Sequence, residues 1–120
     1  MNLEEEVQKY MKNKTKSMIT ANQYQIDAKK TAIFPANKAL EYLSLGLVGE
    51  AGEVANKVKK IIRDKKIDVD IGGEIGDVLW YCAMLADYLD VDLGTIMENN
   101  INKLHSRKQR GVLGGSGDTR

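Results

Sequence analysis

Apolar residues recur along this chain at steps of three and four, the spacing that gathers them on one face of an α-helix. Leu3, Val7, Tyr10 and Met11 predict a first helix over residues 3–12. A polar stretch from Asn13 to Ser17 separates it from a second helix starting at Thr20. Gln23 follows Thr20 by three positions, the spacing of a capping box. This helix is expected to end before Phe34-Pro35, because the residue ahead of a proline resists the α region. Asn37 is the expected cap of a long third helix reaching about residue 64. Its apolar stripe is Leu40, Leu43, Leu47, Ala51, Val54, Val58 and Ile61. A charged loop, Asp64 to Asp68, leads to a fourth helix capped by Asp70 and running to about Leu89, with Ile71, Ile75, Val78, Cys82 and Leu89 as its stripe. Asp92 is the expected cap of a last helix to about Lys108, and the tail GVLGGSGDTR is Gly-rich and irregular. Alternation of the β type is nowhere sustained and Pro35 is the only proline, so the expected fold is all-α.

The length of 120 residues suits one domain, 1–120, with 1–19 as a helical extension and 111–120 as a tail. Lys plus Arg number 18 and Asp plus Glu 17. So even a balance argues against a generic electrostatic grip on a nucleic acid polymer or an anionic membrane. One cysteine excludes a disulfide framework and a Cys-based zinc site within the chain, and one histidine excludes a multi-His metal centre. Cys82 falls in an apolar stripe and reads as a core thiol, while His105 is expected on the outer side of the last helix. No apolar run approaches transmembrane length and no secretory h-region is present, so the expected compartment is cytoplasmic.

The candidate chemistry lies in an echo between two helices. The third helix carries Gly49-Glu50-Ala51-Gly52-Glu53 and the fourth Gly73-Glu74-Ile75-Gly76-Asp77. Roughly two such acid pairs are expected by chance at this composition, so spacing alone decides nothing. Placement says more. Glu50, Glu53 and Lys57 share one helical stripe, and Glu74, Asp77 and Tyr81 share another, each on the flank of its apolar face. Two helices packed by those faces would bring four carboxylates around one groove. Four such charges repel and raise one another's pKa, a penalty that a hard divalent cation removes. All-oxygen ligation suits Mg²⁺, with Mn²⁺ also possible, and Mg²⁺ favours phosphate oxygens as its remaining ligands. The alternative is a solvated acidic face with i,i+4 bridges such as Glu53–Lys57. Glycines at 46, 49, 52, 72, 73 and 76 suggest close helix approach or room for a ligand.

GLVGEAGEVANKVKK, GGEIGDVLWYCAMLAD and ENNINKLHSRKQRG with the GGSGDTR tail resemble the MazG-like nucleoside triphosphate pyrophosphohydrolases, of the all-α NTP pyrophosphatase superfamily. The match runs from about Tyr24 to Arg120. The resemblance implies a four- to five-helix antiparallel bundle that hydrolyses a nucleoside triphosphate, NTP or dNTP, to the monophosphate and pyrophosphate, in nucleotide-pool housecleaning. By position, it implies Glu50, Glu53, Glu74 and Asp77 as Mg²⁺ ligands and Lys57 as a phosphate-facing residue. Asn100 and Lys103 match an N-x-x-K element that helps hold the nucleotide. Trp80 and Tyr81 fall near positions that line the base pocket or a subunit contact, and Tyr24-Gln25 matches a Tyr-Gln element near the domain start. On this reading Glu50 or Glu53 is the general base, with Lys57, Lys103 and Arg107 or Arg110 balancing pyrophosphate charge. A narrow dUTP, dCTP or phosphoribosyl-ATP pyrophosphohydrolase, and a non-catalytic nucleotide-binding helical oligomer, remain open alternatives.

Three further expectations concern packing. Trp80 and Met84 fall opposite the fourth helix's stripe, which suggests that a second copy covers them in a homodimer or homotetramer; packing by the N-terminal helix is the alternative. Asn100 falls near the apolar stripe of its helix, and a buried Asn needs a partner, either substrate or another helix. The tail could fold over the substrate through Asp118 or Arg120, or be a disordered terminus, the default for such composition.

Overall fold

The computed structural model describes residues 1–12, 17–66 and 70–120, with the backbone alone for 10–12. The Tyr10 and Met11 side chains of the first stripe, most of the Asn13–Ser17 stretch and the end of the charged loop lie outside what is described. Five α-helices and no strand occur among those residues: α1 Leu3–Lys12, α2 Ala21–Lys29, α3 Ala39–Asp64, α4 Ile71–Tyr88 and α5 Leu93–Gln109. The fold is all-α, as the periodicity requires.

Helix starts follow the sequence only in part. Thr20 caps α2 as expected, its hydroxyl accepting from the Gln23 amide at 3.1 Å. Asn37 does not cap α3. Pro35 instead leads into a 3-10 turn, Ala36–Lys38, and α3 begins behind Lys38 without a side-chain cap. Asp70 and Asp92 occupy the cap positions of α4 and α5, yet neither carboxylate makes a capping bond. The start of α5 is satisfied from another helix: the Leu93 amide donates to Gln25 Oε1 at 2.9 Å and the Gly94 amide to Asn22 Oδ1 at 2.8 Å. A local capping rule cannot see a partner that lies about 70 residues away in the chain.

The core sits where α2, α3, α4 and α5 meet. Ala28, Leu43, Ala83, Met84, Ala86 and Leu93 form its buried centre, with Tyr24, Phe34, Trp80 and Tyr81 packed around it. This corrects the assignment of faces. Met84 is 1% exposed, whereas Ile75 and Leu89 of the expected α4 stripe are half-exposed or more. In α3, Leu43 and Ile61 are buried as expected, Leu40, Ala51 and Val58 are exposed, and Ala39 is buried in their place. The cover over Trp80 and Met84 is α2 and the segment after it, within the same chain. The Trp80 indole donates to Thr31 Oγ1 at 2.8 Å and meets Phe34 edge to face at 6.4 Å. Neither a second copy nor the N-terminal helix is needed to bury this face. Leu3 and Glu6 of α1 share a surface hollow with Ile61, Ile62 and Lys65 at the far end of α3.

Gln25 joins three parts of the core. Besides accepting from Leu93, its amide donates to the Val91 carbonyl at 3.0 Å and the Ala83 carbonyl at 3.4 Å. At 7% exposure it is one of two buried polar side chains among the described residues. Gln25→Ala leaves these backbone groups without their partner. The expected loss is about 1–3 kcal/mol of folding stability, to be measured by urea denaturation.

The tail is ordered by arginines. The Arg120 guanidinium donates to the carbonyls of Val112, Leu113, Gly114 and Gly117, and Arg110 donates to the Arg120 carbonyl at 3.0 Å. Positive φ at Gly111, Gly115 and Gly117 (69°, 88° and 93°) lets the chain turn back in so few residues. Arg107, 7% exposed, donates to the Asp118 carbonyl at 3.0 Å. Arg107 and Arg110 are thus both engaged with the tail.

Candidate metal centre

The short connection between α3 and α4 makes these helices neighbours, and the acid pairs meet where they pack. Glu50 projects from the middle of α3, and Glu74 and Asp77 from the first two turns of α4. Each of these three offers a carboxylate oxygen, and the three oxygens lie within 4.8 Å of one another. Glu53, one turn along α3, is exposed and lies outside this trio. Its charge is still felt there. Burial first, then the charges of Asp77, Glu74 and Glu53, hold the Glu50 carboxyl above the usual carboxylate range.

Lys57 does not serve merely as an exposed i,i+4 partner. Its ammonium reaches across to α4, 3.6 Å from Glu74 and 3.7 Å from Asp70, and its side chain is 22% exposed. One cation against a cluster of acids leaves negative charge to be balanced. Three hard oxygen donors at this spacing fit a hard divalent cation, and the absence of any thiolate or imidazole among them disfavours zinc. The N-terminal end of α4 adds a partial positive charge near Glu74.

Aromatic residues adjoin the acids. Tyr81 follows Asp77 by one turn of α4, and its phenol pKa is raised by burial first, then by Tyr42, Glu50 and Asp77. Trp80 meets Tyr81 edge to face at 5.0 Å, and Phe34 stacks on Tyr42 at 5.6 Å. From α2, the Tyr24 hydroxyl donates to the Gly76 carbonyl at 3.4 Å; burial, then Asp77 and Cys82, raise its pKa. Phe34 and Tyr42 were not foreseen. They lie on a loop and an exposed face of α3, where periodicity carries no signal.

Asn100 and Lys103 lie on α5. Both are exposed, as are their neighbours Met97, Ile101 and Leu104, so Asn100 is not the buried amide its register suggests. His105 is exposed on the same helix, as expected, and Cys82 is partly buried. The glycines divide as well. A Cβ on Gly46 would strike the Tyr81 ring, whereas at Gly49, Gly52, Gly72 and Gly76 it would meet nothing within 4 Å. Among these six glycines, close approach to another helix is therefore confined to Gly46; Gly73 meets the Asp70 side chain, and the other four leave open space.

No helix among the described residues is long and apolar enough to cross a membrane. No solved structure matches this chain. The Gene 37 protein of Mycobacterium phage L5 is 53% identical over 109 residues, with 81% of this chain and 96% of that protein covered. The model of the MazG nucleotide pyrophosphohydrolase domain matches residues 38–112, a span that holds all three clustered carboxylates, Glu53, Lys57 and the aromatic pair of α4. On that match, which takes in more than half of its length, this chain belongs to the MazG nucleotide pyrophosphohydrolase family.

Proposed function

We propose that the chain hydrolyses a nucleoside triphosphate, NTP or dNTP, with Mg²⁺ as cofactor. Water adds across the anhydride between the α and β phosphorus atoms, releasing the monophosphate and pyrophosphate. The convergence of Glu50 with Glu74 and Asp77, in a chain of this family, carries the reading. When bound, Mg²⁺ neutralises charge on the phosphate oxygens. Glu50, Glu74 and Asp77 hold it, and Glu53 completes the set from the next turn of α3. Either Glu50 or Glu53 takes the proton of the attacking water. Lys57, already aimed at this cluster, balances phosphate charge at its edge. Trp80 and Tyr81 supply aromatic surface for the nucleoside, and Asn100 and Lys103 contribute from α5. Nucleotide-pool housecleaning in the cytoplasm is the setting this activity suits.

A homodimer or homotetramer belongs to the same proposal, now for another reason. Leu45 and Val48 on α3 are 74% and 72% exposed, and Ile75 and Leu79 on α4 about half. An apolar face so open gains from being covered by a second copy.

The test is a panel of NTPs and dNTPs incubated with Mg²⁺ or with EDTA, products being identified. Monophosphate plus pyrophosphate, lost in EDTA, is expected; orthophosphate release would redirect the assignment. The raised Glu50 carboxyl gives the pH dependence a sign. In the folded, metal-free chain this group keeps its proton to higher pH than when unfolded, so its contribution favours folding in acid and is lost as pH rises through the raised value. Mg²⁺ competes with that proton. Its affinity, measured by calorimetry, is expected to weaken as pH falls into the carboxyl range, with proton release on binding.

A further inference from the structure

The contact between Gly46 and Tyr81 joins the acid cluster to the aromatic surface. Gly46 lies one helical turn before Glu50 on α3, and Tyr81 one turn after Asp77 on α4. A Cβ built on Gly46 would overlap the Tyr81 ring, standing 2.8 Å from Cδ1 and closer still to Cε1 and Cζ. The ring therefore rests against the bare backbone of α3. It has little freedom to withdraw, because Trp80 packs against it at 5.0 Å and Tyr42 faces its hydroxyl end. Elsewhere among the described helical glycines, a Cβ would meet open space or the polar end of an Asp or Asn side chain.

We infer that Gly46 is a positioning residue for nucleotide recognition: its missing side chain is the notch that seats Tyr81 beside Glu50 and sets where the nucleoside leaves the metal-binding cleft. This rests on the nucleotide reading of the site. An alanine at 46 pushes the ring outward, narrowing the passage between acids and aromatic surface without altering any carboxylate. The ligand affected is the nucleoside part of a triphosphate, and inorganic pyrophosphate with Mg²⁺ is affected much less.

Gly46→Ala, Tyr81→Ala and the double variant test this. Alanine is favoured over glycine within a helix, which offsets strain and helps Gly46→Ala to fold. Trp80 is the only tryptophan, so near-UV circular dichroism reports its contact with Tyr81 whether or not the chain is catalytic. The second readout is the dissociation constant of a non-hydrolysable nucleoside triphosphate with Mg²⁺, compared with that of pyrophosphate. Gly46→Ala is expected to change the Trp80 signal and weaken the nucleotide about tenfold, pyrophosphate staying within about twofold; for a substrate that is turned over, KM rises and kcat holds. In the Tyr81→Ala background the same substitution is expected to do nothing, because the pair acts through one contact. An unchanged Trp80 signal overturns the inference, as does equal weakening of nucleotide and pyrophosphate. An effect that persists without the Tyr81 ring overturns it too. A wild-type chain that binds the nucleotide without hydrolysing it refutes the hydrolase reading alone.

Discussion

Glu50→Gln is expected to reduce Mg²⁺-dependent hydrolysis by about a thousandfold, the equivalent of about 4 kcal/mol of transition-state stabilisation. The substitution keeps the side chain's shape and removes its charge. In EDTA the variant is expected to melt at the wild-type temperature or above it. The metal-free cluster holds Glu50, Glu74 and Asp77 within 4.8 Å of one another, and neutralising one member relieves that repulsion. Opposite responses of activity and metal-free stability are the signature of a metal ligand; a residue that only supports the fold would lose both. The measurements are initial rates at saturating Mg²⁺ and thermal melts in EDTA. Full activity at high Mg²⁺ would remove Glu50 from the centre. Glu53→Ala is likewise expected to abolish turnover with helicity intact, and its activity at excess Mg²⁺ would confine the ligands to the other three acids.

Met84→Ala is expected to destabilise the fold by about 2–5 kcal/mol, the usual range for emptying a buried aliphatic site. Small domains hold only about 5–15 kcal/mol in total, so the loss is a large fraction. Met84 is 1% exposed at the junction of α4 with its neighbours, beside Leu43 at 0%. Urea denaturation measures the effect. The same substitution on an outward face would change stability by no more than about 0.5 kcal/mol. It thereby tests which side of α4 faces inward, the point at which periodicity and the fold disagree.

That disagreement has a physical cause. α4 carries apolar residues on nearly every side, among them Ile71, Ile75, Val78, Leu79, Trp80, Met84 and Leu85. A helix apolar all round has no single stripe to read, so the choice of inner face passes to whatever packs against it. Here those elements are α3 and α2, the latter a short and mostly polar helix. α2 contributes Ala28 to the core and uses Gln25 and Asn22 to complete the start of α5. Nothing in the spacing of α2 announces this, because its partners are backbone groups far along the chain.

The acids were more legible. Glu50 and Glu53 on one helix and Glu74 and Asp77 on the next could be placed on helix flanks from the 100° step alone. The fold brings three of the four together and turns Lys57 toward Glu74. Flank position leaves tens of degrees of latitude in how two helices roll on each other, enough to admit Glu50 and leave Glu53 outside. The Gly46 contact was hidden for a related reason: six glycines stood near the acids, and only packing shows which of them another side chain fills.

The linear chain determined by itself that the fold is helical, nearly where each helix runs, and which acids lie on the flanks of the two central helices. Those properties depend on residues within a turn or two of each other, so periodicity and local stereochemistry suffice. Only the tertiary structure decided which face of α4 is inside, how α5 is capped, where the tail arginines are engaged and which carboxylates meet. Each of those depends on contacts between distant segments, where packing and hydrogen bonding to the backbone of another helix outweigh any preference the local sequence carries.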